Sequence, residues 1–189
     1  MLSAIIATHN SERELVPTLA ALVPGATAGL VKEVILADGG SHDATAEVAD
    51  FAGCRFIVLT GSRGARLAAA AAAARAPWLM FLRADAVPEP GWVDAVERFI
   101  AVGDTQRAAV FRSKSGSEPL HPRSAELIRL FWRVLSAPLE PAAGLVLAKH
   151  FYEQLSGHPD DERAEAALLR RIGRRRIALL ACGVARADT

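Results

Sequence analysis

The chain has 189 residues, 51% of them hydrophobic and 23% charged, with a formal net charge of +1. Those values suit one globular domain with a single core and exclude a disordered chain. With 22 basic and 21 acidic residues there is no overall field to recruit nucleic acid or an anionic membrane.

Two cysteines, Cys54 and Cys182, lie far apart, have no metal-ligand spacing and read as buried free thiols of a reducing cytosol. The start of the chain, residues 1–7, lacks a basic region, and its apolar run ends at Thr8-His9-Asn10, too short for a signal peptide. The alanine-rich run at 68–74 is bracketed by Arg63, Arg66 and Arg75 and followed by Pro77. It falls short of the ~18 apolar residues of a membrane span and reads as a buried helix. A cytoplasmic location without an integral membrane segment is expected.

In chain order, residues 3–8 read as a strand, and Ser11-Glu12-Arg13-Glu14 offers a capping box to a helix with Leu15, Leu19 and Leu22 on one stripe. Residues 34–37 are a second strand, ending in the polar turn Asp38-Gly39-Gly40-Ser41-His42-Asp43. A helix over 44–51 and a strand over 55–59 follow. Gly61-Ser62-Arg63-Gly64 then breaks the chain before the alanine-rich helix, and residues 78–82 form a fourth strand ending at Arg83-Ala84-Asp85. Strand and helix in alternation predict an α/β fold with an open, mainly parallel sheet flanked by helices. Beyond it come a helix over 92–102, a strand over 108–112, a Ser/Gly/Pro-rich loop over 113–122 and a helix over 124–135. Helices over 149–155 and 161–172 and a strand over 177–181 complete the series. With no repeat and no long linker, 1–189 is read as one domain.

Ligands of open α/β sheets bind beyond the carboxyl ends of the strands, and the polar residues of this sequence gather at four such ends in succession. Glycines there permit tight turns, and helix N-termini present amides to anions. Asn10 and Asp43 fit either a site or simple helix caps. His9 is expected to line the pocket. The late cluster Arg170, Arg171, Arg174, Arg175 and Arg176 is read as a helix end favoured by its dipole.

The order of these segments resembles family 2 glycosyltransferases. Ile5-Ile6-Ala7-Thr8-His9-Asn10 is similar to their opening strand, and Asp38-Gly39-Gly40-Ser41-His42-Asp43-Ala44-Thr45 to their glycine turn. Gly61-Ser62-Arg63-Gly64-Ala65-Arg66 and Phe81-Leu82-Arg83-Ala84-Asp85 fall at the intervals of the small radical-SAM/selenodomain-associated subgroup. The resemblance covers about residues 3–92, implies a GT-A fold, and divides the domain into a nucleotide-sugar-binding half (1–92) and an acceptor half (93–189).

It implies an inverting transfer from a nucleoside-diphosphate sugar to an unknown acceptor, and it leaves homo-oligomerisation open. By that resemblance Asp38 contacts the nucleobase, Thr8 borders the same pocket, and Arg63 or Arg66 adds donors to the phosphates. Asp85 holds a Mg²⁺ or Mn²⁺ that bridges them. Glu165 falls where the family keeps its general base, with Glu162 as the other candidate, and both also fit solvated helix carboxylates. Three departures stand out. Arg83 replaces the subgroup's histidine, Ala86 its threonine, and Pro141-Ala142-Ala143-Gly144 stands where Gly-Asp-Gln-Gly is usual. The missing Gly-Asp-Gln-Gly, together with the alanines Ala164 and Ala167 around Glu165, supports an alternative: a catalytically inactive member acting as a nucleotide-binding or protein-interaction module. A nucleotidyltransferase would carry its glycine-rich loop after strand one, and a dinucleotide oxidoreductase a Gly-x-Gly-x-x-Gly, and neither is present.

Overall fold

The computed structural model describes residues 1–113 and 144–187. Its centre is β1 (Leu2–Thr8), an unbroken run of buried residues, as expected for a parallel strand covered on both faces. Parallel neighbours flank it: β2 (Val31–Asp38) on one side and β4 (Trp78–Arg83) on the other. β3 (Arg55–Val58) extends the sheet beyond β2. The second half adds β5 (Ala86–Pro88), β6 (Ala108–Ser113), β7 (Leu145–Ala148) and β8 (Ile177–Arg186), giving the order β3-β2-β1-β4-β7-β6-β8-β5. β7 runs antiparallel to both β4 and β6, so the sheet is mixed beyond β4.

Register decides what meets at the carboxyl edge. Thr8 pairs with Asp38, and Ala7 with Arg83. The residues that end β1, β2 and β4 therefore stand side by side. Helices α1 (Glu12–Thr27), α2 (Thr45–Phe51), α3 (Arg63–Ala73) and α4 (Trp92–Ala101) follow their strands. Leu15, Leu19 and Leu22 are buried, as the predicted stripe requires. The shorter α5 (Lys149–Gln154) and α6 (Ala164–Ile172) belong to the second half.

Several expectations change. The capping box at α1 does not form, because the Ser11 hydroxyl bonds back to the His9 backbone. Instead the Glu12 amide donates to Asp43 Oδ2 at 3.1 Å, and the Ala44 amide to Glu12 Oε2 at 2.9 Å, so α1 and α2 cap each other. Asp43 is thus a cap. Asn10 clips the two turns together, its amide on Ser41 Oγ and its Oδ1 accepting from the His42 amide.

The strands β5 and β7 had no counterpart in the sequence reading. A three- or four-residue apolar run carries too little periodicity to separate strand from helix. β8 runs on to Arg186 because β5 pairs with its end. α6 starts at Ala164, not 161, because the preceding loop is engaged elsewhere. Cys54 and Cys182 are free thiols. No helix among the described residues is long and apolar enough to cross a membrane. The predicted helix over 124–135, the loop beyond Ser113, and Pro141, Ala142 and Ala143 lie outside the described residues.

Candidate functional site

A cleft of about 560 Å³ opens beyond the ends of β1 and β4, where successive connections leave the sheet on opposite sides of β1. That is the topological switch point at which open α/β sheets take their ligands. Of the residues named from sequence, Thr8, Arg63, Arg66, Asp85 and both candidate bases, Glu162 and Glu165, line it, and His9 does too.

Asp38 does not. Its side chain is 0% exposed. Oδ1 accepts from the Thr8 and Ser41 hydroxyls, and Oδ2 from the Gly40 and Ser41 amides at 2.8 and 2.7 Å. Burial on its own would raise this carboxyl. The bonds from Ser41, Thr8 and Gly40 outweigh it and hold the group below the usual carboxylate range. With four donors in place and no exposed surface, the carboxylate ties the β1 and β2 ends into one turn. This geometry runs against a nucleobase contact by Asp38.

Beside that turn Arg66 crosses the strand ends. Its Nη1 donates to the Thr8 carbonyl oxygen at 2.8 Å, while Nε is buried with no partner. The crossing needs Gly39, where an added Cβ would fall 2.2 Å from Nη1. Arg66 is therefore a cation in the cleft whose recorded partner is a neutral carbonyl, with one N–H unsatisfied. Such an atom marks a place where an anion gains most.

The N-terminus of α3 is already satisfied, contrary to the expectation of free amides. The Arg63 amide bonds Glu162 Oε1, the Gly64 amide bonds the Asp161 carbonyl, and the Ala65 amide bonds Ser62 Oγ. The Ser62 hydroxyl donates in turn to Asp160 Oδ1 at 2.6 Å. Glu162, the alternative base, thus caps a helix. This loop can approach only because residue 64 is glycine, since a Cβ there would lie 1.9 Å from the Pro159 carbonyl oxygen. Docked in this way, the loop delivers α6 to the cleft. Glu165 Oε1 then accepts from Arg63 Nε at 2.6 Å, with both side chains about four-fifths buried.

Asp85 sits across the cleft in a bidentate pair with Arg83, whose Nε and Nη2 reach Oδ1 and Oδ2 at 2.7 Å each. The pair joins the last residue of β4 to the turn that follows it. The donor set does not fit a resident divalent metal. The one carboxylate at the expected position has a guanidinium on both oxygens, and Glu165 is held by Arg63. Among the described residues no three His, Cys, Asp or Glu side chains stand together as a metal cage. In this arrangement Asp85 is committed to Arg83, and a metal there would have to displace or share that guanidinium. Glu14, on the first turn of α1, also lines the cleft and was read only as part of the capping box.

Behind the site, His158 is 4% exposed and its Nδ1 meets the Tyr152 hydroxyl at 2.9 Å. Burial pushes this imidazole down to about 4, helped by the Arg63 charge and opposed by that of Glu165.

A family model for glycosyl transferase family 2 matches residues 3–154. No curated protein sequence matches the chain. Among solved structures, it is similar to glucosyl-3-phosphoglycerate synthase from Mycobacterium tuberculosis in complex with Mn²⁺, uridine diphosphate and glucosyl-3-phosphoglycerate. The identity is 22% and the TM-score 0.72, over 100% of this chain and 72% of that one. The same synthase with Mg²⁺ and uridine diphosphate gives identical values. Its complex with Mn²⁺, UDP-glucose and phosphoglyceric acid gives 21% and 0.70, over 100% and 72%. At such identities the likeness is one of fold.

Proposed function

The chain belongs to glycosyl transferase family 2 and has the GT-A fold, and from that premise we propose that it moves a sugar from a nucleoside-diphosphate donor to an acceptor hydroxyl. One observation carries the reading. Thr8, Arg66, Asp85 and Glu165, dispersed along the sequence, line a single cleft at the switch point. These structural neighbours were solved with uridine diphosphate or UDP-glucose. Arg66 lines the cleft as a cation whose partner among the described residues is a neutral carbonyl, which complements a diphosphate.

In this reading Glu165 is the general base. Arg63 fixes Oε1 and leaves Oε2 without a partner among the described residues, so Oε2 is the atom that takes the acceptor proton. The freed oxygen attacks the anomeric carbon from the face opposite the diphosphate. The bond from that carbon to the phosphate oxygen breaks, and the diphosphate leaves with the electron pair and inversion at carbon. Asp38 acts through the turn it holds, which sets Thr8 and Gly39 under the donor. A metal bound in such sites neutralises the departing diphosphate, but no step here depends on one.

The halves 1–92 and 93–189 keep their donor and acceptor roles in this proposal, with Glu165 supplied to the donor cleft by the second. The motifs at 61–66 and 81–85 favour the radical-SAM/selenodomain-associated subgroup, and a cytoplasmic site of action is part of the same reading. Calorimetric titration with uridine and guanosine diphosphates, followed by a donor-hydrolysis assay, tests it. Binding with hydrolysis supports the enzyme. Binding without hydrolysis of any donor favours the binding-only alternative, which the close Arg63–Glu165 pair also fits.

A further inference from the structure

Three guanidinium groups share the cleft, and their partners differ. Arg63 is neutralised by Glu165 at 2.6 Å. Arg83 and Asp85 hold each other through two bonds of 2.7 Å. Among the described residues Arg66 meets the Thr8 carbonyl, and its buried Nε has no partner. Arg66 is a permanent cation lining the cleft with a neutral carbonyl as its partner, and the ligand that complements it is an anion.

Arg83 stands two residues before the carboxylate at which a metal was expected. A divalent ion on Asp85 would share both oxygens with a guanidinium, and cation–cation repulsion at that range opposes it. The same guanidinium is well suited to phosphate. It is a planar fork of N–H donors that lines the cleft, oriented there by its two bonds to Asp85. Counted with Asp85, the two guanidinium groups leave a net charge of +1 toward the diphosphate.

Resting on the reading of this cleft as a diphosphate-sugar site, we propose that Arg66 and Arg83 supply the counter-charge to the donor diphosphate, so that the chain binds it without a divalent cation. Asp85 is then a positioning residue that aims Arg83. When the anomeric carbon–oxygen bond breaks, the diphosphate keeps the bonding pair, and the two fixed guanidinium groups meet the added charge without moving.

The test is titration of the full chain with uridine and guanosine diphosphates, in excess chelator and in Mn²⁺, beside titration with Mn²⁺ alone followed by electron paramagnetic resonance. We expect the better ligand to show dissociation constants within about threefold in the two conditions, and no Mn²⁺ bound by the chain alone. Arg66→Ala and Arg83→Ala should each weaken binding in chelator by about tenfold or more. Arg66→Lys and Arg83→Lys keep the charge, guard against misfolding and recover part of the loss. Asp85→Asn should weaken binding a few-fold and equally in both conditions. Tightening by Mn²⁺ of more than about tenfold, lost in Asp85→Asn, would overturn the inference while leaving the donor reading intact. No binding of any nucleoside diphosphate in either condition would remove both.

Discussion

Arg63 Nε and Glu165 Oε1, 102 positions apart in the chain, stand 2.6 Å from each other. This pair is where the second half closes on the first. It orients the carboxylate and fixes one oxygen, while the other has no partner among the described residues. An amide in place of Glu165 keeps an oxygen for Arg63 but loses the basicity. Glu165→Gln should therefore lower donor turnover by roughly 10²–10⁴-fold, the usual worth of a positioned base. Nucleoside-diphosphate affinity should stay within about threefold. Turnover unchanged in the variant would remove Glu165 from the chemistry.

Gly64 makes that closure possible. A methyl group there would meet the Pro159 carbonyl oxygen at 1.9 Å and Ala164 Cβ at 2.5 Å. Backbone cannot fold away as a flexible side chain can, so the 159–163 loop must lift from α3. Gly64→Ala should then lose the bonds from the Arg63 and Gly64 amides to that loop and destabilise the fold by about 1–3 kcal/mol. Glu165 should retreat from Arg63. Chemical denaturation reads the first effect, and an activity loss beyond the unfolded fraction reads the second.

Much of the donor side was legible because its signals are local. Apolar runs of four to eight residues ending in Thr8, Asp38 and Arg83 announce parallel strands, and their ends must converge on one edge. Partners were harder to read. Asp38 was read as a ligand contact through resemblance, because its turn matches the glycine turn of the family. The structure shows instead that the glycine turn and Thr8 use all of its acceptor positions. Glu165 was reached through resemblance, and its approach to Arg63 depends on a tertiary contact through Gly64 that no periodicity encodes. β7 escaped because Leu-Val-Leu-Ala reads equally as helix or strand until β4 and β6 flank it.

His158 gives the fold an acid sensitivity of its own. Its folded-state pKa is pushed down to about 4, chiefly by burial. The unfolded chain, with an ordinary imidazole near ~6.5, takes up the proton first as pH falls. The stabilisation is therefore complete above about 6.5 and is lost progressively down to about 4, up to ~3 kcal/mol across that window. Denaturation midpoints should rise with pH between those limits, and His158→Gln should flatten the rise. A wild-type stability independent of pH over that range would contradict the buried neutral ring.

Asp38 offers the sharpest contrast between a structural and a ligand-reading carboxylate. Its folded-state pKa lies below the usual range, so the stability it contributes is present above the unfolded value and lost as pH falls through the folded one. Asn in its place still accepts from one side, and the Thr8 and Ser41 hydroxyls can rotate to accept from its amide. The charge-assisted part of the bonds to the Gly40 and Ser41 amides is gone, at about 1.5–3 kcal/mol. Asp38→Ala leaves those amides and two hydroxyls with no partner in a closed turn and should be worse. Both variants should lower the melting temperature in the absence of nucleotide. Any loss of diphosphate affinity should follow from the displaced Thr8 and Gly39 rather than from a missing contact. A nucleobase contact predicts the opposite pattern: an unchanged melting temperature and an affinity loss that differs between uridine and guanosine diphosphates. Measuring melting and titration on the same two variants separates these outcomes, and an intact melting temperature in Asp38→Ala would return Asp38 to the list of ligand contacts.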